Sequence, residues 1–201
     1  MIRSVIFDLG GVIVPLDFER GYETIAPLCG LPRDQIPARI GSSELVPLFE
    51  TGRIGSGEFV EGLSTVLGIE IGYEEFCRLW SSIFLPFTLI PESFVTELKR
   101  SYRVLLLSNT NPIHFEMIRE NYPILRHFER CVLSYEVGAM KPSPAIYAEA
   151  VRQAGCSPAE CFFTDDIEAY VEGARAFGID AEQFVGYDTL VEHLKLRKLL
   201  C

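Results

Sequence analysis

The chain has 201 residues, 48% of them hydrophobic and 23% charged, enough apolar material for one sizeable core and a small second unit. Its formal net charge of -10 argues against nucleic acid or an anionic membrane as partner, while a few local donors can still hold a small anionic substrate. No apolar run reaches the ~18 residues of a membrane span.

The first element is a short apolar strand, Val5-Ile6-Phe7, that runs straight into Asp8 and then Leu9-Gly10-Gly11. Asp8 and the glycine pair interrupt the apolar stretch after Arg3, so it reads as a core strand rather than a signal peptide. Residues 18 to 85 read as helical, with apolar positions three and four apart in Ser56 to Leu67 and in Tyr73 to Phe84. Gly30-Leu31-Pro32 and Gly68 to Gly72 interrupt them, and Asp17 reads as a helix cap before Phe18. From Pro91 the pattern changes. A helix to about Tyr102 precedes the run Val104-Leu105-Leu106-Leu107, which ends in Ser108-Asn109-Thr110-Asn111. A helix from Pro112 to about Asn121 follows, then the run Cys131 to Ser134, a loop carrying Lys141, and a helix from Ser143 to Ala154. Cys161-Phe162-Phe163-Thr164 runs into Asp165-Asp166, and a helix reaches Phe177. A weak strand near Ala181 to Val185 and a helix from Thr189 complete the pattern.

Continuous apolar strands alternating with helices predict an α/β fold with a parallel sheet covered on both faces. The helical block interrupts that alternation after the first strand and reads as an insert. The expected division is therefore 1–17 with 86–201 as the α/β core and 18–85 as a helical cap. The six cysteines (Cys29, Cys77, Cys131, Cys156, Cys161 and Cys201) form no CxxC, and His114, His127 and His193 have no ligand-like spacing. Reduced cysteines, no zinc and a cytoplasmic location are the expectations.

Four strand-like runs end in polar residues: Asp8, Ser108-Asn109, Ser134 and Asp165-Asp166. Open parallel sheets bind ligands outside the carboxyl ends of their strands. If the strands are neighbours, Asp8, Ser108, Asp165 and Asp166 converge, within reach of Lys141. Carboxylates gathered this way repel one another unless a cation sits among them, and beside a phosphate that cation is usually Mg2+. Lys141 and the Ser108 hydroxyl suit phosphate oxygens, and the Leu9-Gly10-Gly11 backbone can approach an anion closely. The set suits phosphoryl transfer to Asp8.

On these residues the chain resembles the haloacid dehalogenase-like (HAD) hydrolases. Four motifs match in order: Phe7-Asp8-Leu9-Gly10-Gly11-Val12, Leu107-Ser108-Asn109-Thr110, Lys141-Pro142, and Asp165-Asp166 followed by Gly173-Ala174. The likeness spans nearly the whole chain and is closest to a branch that includes sugar-phosphate phosphatases such as the glucose-1-phosphate phosphatases. It implies a Rossmann-like three-layer core with an inserted helical-bundle cap, and hydrolysis of a small phosphorylated metabolite. It further implies Asp8 as nucleophile and Mg2+ ligand, with the Gly10 carbonyl and Asp166 as further ligands and Asp165 acting through water or orienting the site. Ser108, Asn109 and the Leu9-Gly10 backbone would hold the phosphoryl group, and Lys141 would neutralise charge between nucleophile and phosphate.

Two departures from the family pattern matter. Most phosphatases of the family carry a second Asp two residues after the nucleophile, where this chain has Gly10, and a glycine cannot move a proton. General acid–base help contributes ~10²–10⁴-fold, so a good leaving group, slow turnover or a substitute acid follows. Near the last motif, Ile167 and Tyr170 stand where related chains carry asparagines. Two alternatives stay open at this point: a non-catalytic phospho-ligand or partner-binding module, and a 2-haloacid dehalogenase, whose first motif carries an aromatic residue and Thr at the places of Gly10 and Val12. His114 reads either as a contact to the leaving group or as an exposed first-turn residue. Phe49, Glu50 and Arg53 are candidates to face the site from the cap. Oligomeric state is not legible.

Overall fold

The computed structural model describes residues 1–200; Cys201 lies outside the described residues. The apolar runs pair into one parallel five-stranded sheet in the order β3-β2-β1-β4-β5. The strands are β1 (Ser4–Phe7), β2 (Arg103–Ser108), β3 (Arg130–Leu133), β4 (Cys161–Asp165) and β5 (Asp180–Gln183). Because successive side chains of a strand point to opposite faces, each strand feeds two cores. Val5, Phe7, Val104, Leu106 and Phe162 enter one face, while Ile6, Leu105, Leu107 and Phe163 enter the other. Both faces are covered, which is why the runs are continuous rather than alternating.

The first face packs against α6 (Glu92–Leu98), α7 (Pro112–Asn121) and α11 (Tyr187–Leu196) through residues such as Val95, Ile118 and Leu194. The second packs against α9 (Pro144–Ala154) and α10 (Glu168–Phe177) through Ile146, Tyr147 and Val171. The result is the three-layer α/β architecture expected from the sequence. Boundaries differ in places. The helix after Pro91 ends at Leu98 and continues as turns to Tyr102. The last strand is only as long as its pairing with Phe162–Asp165 of β4 allows, which leaves Val185 outside it and exposed. Ser134 opens the single-turn helix α8 (Ser134–Val137) instead of only ending a strand.

Between β1 and β2 the chain forms α1 (Phe18–Cys29), α2 (Ile36–Gly41), α3 (Leu45–Glu50), α4 (Ser56–Leu67) and α5 (Tyr73–Trp80). Asp17 caps α1 by accepting the Arg20 amide at 2.9 Å. These helices bury a separate apolar core around Ile25, Ile36, Phe49, Phe59, Leu63 and Phe76, joined by Ile113 of α7. Phe49 and Phe59 stack with ring centroids 4.2 Å apart. Each such buried aromatic contributes about 1.5–3 kcal/mol by leaving water. The chain enters and leaves this segment side by side: Leu16 and Phe84 form an antiparallel bridge, the Asp17 amide donates to the Ile83 carbonyl at 2.7 Å, and the Leu85 amide donates to the Pro15 carbonyl at 3.1 Å.

A second junction lies after α3. Gly52 has φ +66, and a Cβ there would sit 2.2 Å from the Tyr135 carbonyl oxygen of α8. Backbone meets backbone at this point, and only glycine allows it. Gly52→Ala is expected to cost about 1–3 kcal/mol, read as a lower urea midpoint with an unchanged denaturant slope. An unchanged midpoint would mean that the close approach is not a constraint on the fold.

Candidate active site

The sheet order places β1 between β2 and β4, so the carboxyl ends of the three central strands carry Asp8, Ser108 and Asp165 side by side. β1 is locked to β4 just where the nucleophile candidate begins, the Asp8 amide donating to the Thr164 carbonyl at 3.0 Å. Asp8, Asp165 and Asp166 each offer a carboxylate oxygen, and the three oxygens lie within 4.8 Å of one another. Asp8 is 6% exposed and Asp165 fully buried. Lys141, itself 3% exposed, reaches between them: its Nζ lies 2.8 Å from Asp8 Oδ1 and donates to Asp165 Oδ2 at 2.5 Å.

Charge and burial oppose each other here. Burial raises the Asp8 carboxyl well above the usual carboxylate range, and the neighbouring Asp165 adds to that, against the Lys141 ammonium. Asp166 is raised for the same reasons, burial first and Asp165 second. Burial works to lower Lys141, but Asp8 and Asp165 outweigh it and hold the ammonium above the ordinary lysine value. Three carboxylates against one ammonium leave two uncompensated negative charges, the charge of one divalent cation. An all-oxygen donor set suits a hard ion such as Mg2+. The residues present therefore fit the metal that the motifs imply.

The loop that carries Lys141 is fixed by Asn109. The Lys141 amide donates to Asn109 Oδ1 at 2.7 Å, and Asn109 Nδ2 donates to the Lys141 carbonyl at 3.1 Å. Both ends of the Asn109 amide are thus engaged, so any contact from this residue to a phosphoryl group would come from its main chain. The Lys141 ammonium also lies over the Phe163 and Tyr170 rings, 5.6 and 5.1 Å from their centroids. Tyr170 therefore steadies the lysine through its ring. Ser108, 3% exposed, makes only a long 3.5 Å contact to the Asn109 carbonyl, which leaves its hydroxyl free for a ligand.

Gly11 has a different use from the one its sequence suggests. With φ +76, it lies so close to Asp166 that a Cβ would meet the carboxylate Oδ2 at 2.4 Å. The space freed by this glycine is filled by Asp166, while Gly10 faces the Leu16 side chain.

Leu9, Gly10, Ser108 and Asn109 line a cavity of about 260 Å³ together with residues of the inserted helices. Its walls are largely apolar, with Leu16, Tyr22, Ile25, Trp80 and Phe84 among them. Glu50 and His114 also line it. His114 is buried at 7% exposure rather than exposed. Asn111 caps α7: its Oδ1 accepts the His114 amide at 3.0 Å, and its Nδ2 faces His114 Nδ1 at 3.1 Å. An amide nitrogen only donates, so Nδ1 accepts and the imidazole proton sits on Nε2, 3.1 Å from the Trp80 carbonyl. Burial pushes His114 down to about 4, so it is neutral. Of the other insert candidates, Phe49 enters the insert core and Arg53 is exposed. Sequence reasoning missed Gly52 and the cap role of Asn111. The Asn111-Pro112 pair was the available signal for the latter, since proline favours the first helical position after a cap.

Comparisons with known proteins agree with this arrangement. The family model for haloacid dehalogenase-like hydrolases matches residues 2–178. A D-ribitol-5-phosphate phosphatase of Bacteroides thetaiotaomicron is 28% identical over 189 residues, covering 91% of this chain and 92% of its own. A HAD family enzyme of the same organism, solved with magnesium and inorganic phosphate, superposes with a TM-score of 0.83 at 30% identity, over 91% of this chain and 94% of its own. A HAD-like family hydrolase from Porphyromonas gingivalis has a TM-score of 0.85 at 25% identity, over 98% of both chains. The chain belongs to the haloacid dehalogenase-like hydrolases.

Proposed function

We propose that this protein is a Mg2+-dependent phosphatase of a small phosphorylated metabolite, acting through a phosphoaspartate on Asp8, with residues 18–85 as the cap over the site. The observation that carries the reading is the cluster of buried Asp8, buried Asp165 and half-buried Asp166, with Lys141 between the first two, beside a largely apolar cavity. The relatives support it: one acts on D-ribitol 5-phosphate, and another was crystallised with magnesium and phosphate. A cavity of about 260 Å³ suits a metabolite-sized leaving group. A sugar or polyol phosphate is the first class to try. The apolar walls add aryl and alkyl phosphates to that list. No helix among the described residues is long and apolar enough to cross a membrane. The free cysteines of the described residues are in keeping with a cytoplasmic protein.

In this reading Asp8 attacks phosphorus while the Ser108 hydroxyl and the Lys141 ammonium hold the phosphoryl oxygens, and Asn109 keeps Lys141 in place. Mg2+, held by Asp8, Asp166 and the Gly10 carbonyl, with Asp165 acting through water or orienting the site, would supply charge stabilisation for the phosphoryl oxygens. The chain's own contribution is a preset arrangement of donors in a water-poor site.

Phosphate release from a panel of sugar, polyol, aryl and alkyl phosphates tests the reading. Release with Mg2+ present is expected for at least one member, falling to background in EDTA and returning with excess Mg2+. Release indifferent to EDTA would remove the metal from the scheme, and no release across the panel would favour a binding module.

A further inference from the structure

Gly10 leaves no carboxyl group two residues after the nucleophile, and the Lys141 ammonium beside Asp8 is held between Asp8 and Asp165, while the oxygen of an alkyl phosphate is a poor leaving group without a proton. The cavity wall carries one carboxyl and one imidazole, Glu50 and His114. His114 is excluded by its hydrogen bonds. Its one proton is committed to the Trp80 carbonyl, and its other nitrogen is occupied by the Asn111 amide.

Glu50 is placed differently. It is the last residue of α3, half-buried, and lines the same cavity as Gly10 and Ser108. Its neighbour Phe49 is fully buried against Phe59 and fixes the helix. Two residues on, Gly52 presses against the Tyr135 carbonyl, at the start of the segment that leads to Lys141. The insert therefore meets the core close to Glu50, whose carboxyl feels the Lys141 charge. Lys141 directs its close contacts to Asp8 and Asp165, leaving Glu50 without an ion pair among the described residues. Burial, partly opposed by the Lys141 ammonium, pushes the Glu50 carboxyl up to about 7, so both its forms are present near neutral pH.

We propose that Glu50, on the inserted helices, is the catalytic acid that protonates the leaving oxygen and then the base that activates water; the assignment rests on the phosphatase reading above. In the first step an Asp8 carboxylate oxygen bonds to phosphorus. The bond from phosphorus to the leaving oxygen breaks, and the electron pair on that oxygen takes the Glu50 proton. In the second step the Glu50 carboxylate removes a proton from water. The water oxygen bonds to phosphorus as the bond from phosphorus to the Asp8 oxygen breaks. Inorganic phosphate, the Asp8 carboxylate and protonated Glu50 result.

Two esters of similar shape separate this role from a structural one. Wild type and Glu50→Gln are compared, with saturating Mg2+, on 2-phenylethyl phosphate and p-nitrophenyl phosphate. The kcat/KM of the variant on the phenylethyl ester is expected to fall by on the order of 10²-fold or more, and on the nitrophenyl ester by less than about tenfold, because a nitrophenolate leaves without a proton. Water activation is lost with both, so the variant should also release a burst of nitrophenolate equal to the enzyme before a slow steady rate. Equal losses on the two esters, or none, overturn the proton-transfer role while leaving the phosphatase reading intact. No hydrolysis by the wild type of either ester or of any other member of the phosphate panel overturns both.

Discussion

Asp8→Asn is expected to lower phosphate release by on the order of 10⁴-fold or more, the scale on which removing a nucleophile acts in enzymes with a covalent intermediate. An amide at this position keeps the shape of the side chain but has no carboxylate to attack phosphorus. The variant should remain folded, because the Lys141 ammonium keeps its contact to Asp165 at 2.5 Å and is not left buried without a partner. The substitution also relieves repulsion, since Asp165 is among the groups that raise the Asp8 carboxyl. A melting temperature at or above that of the wild type, together with lost turnover and lost labelling of the protein by phosphate, is the expected combination. Retained turnover in a folded Asp8→Asn protein would move the nucleophile elsewhere.

Lys141→Met is expected to have the largest effect on stability. Asp8 and Asp165 are both buried, and this ammonium is the cation that touches them. Breaking a buried ion pair from one side costs about 3–5 kcal/mol, because the remaining charge is left without compensation. Methionine retains much of the lysine stem, so packing between the Phe163 and Tyr170 rings is largely kept and the loss is mainly electrostatic. The experiment is urea unfolding in EDTA and again in Mg2+. Stability should drop in EDTA and recover in part with the metal, since a ligand at a hundred times its dissociation constant stabilises by about 2.7 kcal/mol. A variant as stable as wild type in EDTA would mean that the carboxylates were already neutralised by protonation. Turnover should be lost in either medium.

The sheet was readable because its strands are short, continuous and apolar, and because each ends in residues that a buried strand would not otherwise carry. Asp8, Ser108 and Asp165 could be brought together in thought before any coordinates, since a parallel sheet aligns its carboxyl ends. Lys141 was legible only through its motif, as nothing in a loop lysine says which way it turns. The contacts that fix it were hidden. Asn109 was read as a phosphate ligand, whereas its amide spans the Lys141 backbone across 32 positions in sequence. His114 was legible as a candidate but not as a locked neutral ring, because its partner Trp80 comes from the insert. Gly52 gave no signal at all: its need for φ +66 and an absent Cβ arises only when α3 meets α8. What the sequence withheld lies mostly where the insert touches the core, and such contacts have no local periodicity.

The paired entry and exit of the insert have a consequence for ancestry. Leu16 and Phe84 stand opposite one another as bridge partners. The five helices between them could be exchanged, shortened or lost while the ends to be rejoined stay within a few ångströms, at little cost in loop-closure entropy. Every sheet strand lies outside that excursion, and so do Asp8, Asp165, Asp166 and Lys141. In the proposed reading, the chemistry that breaks a phosphate ester and the walls that choose which ester enters can therefore diverge independently, and a lineage can change diet without rebuilding its hearth.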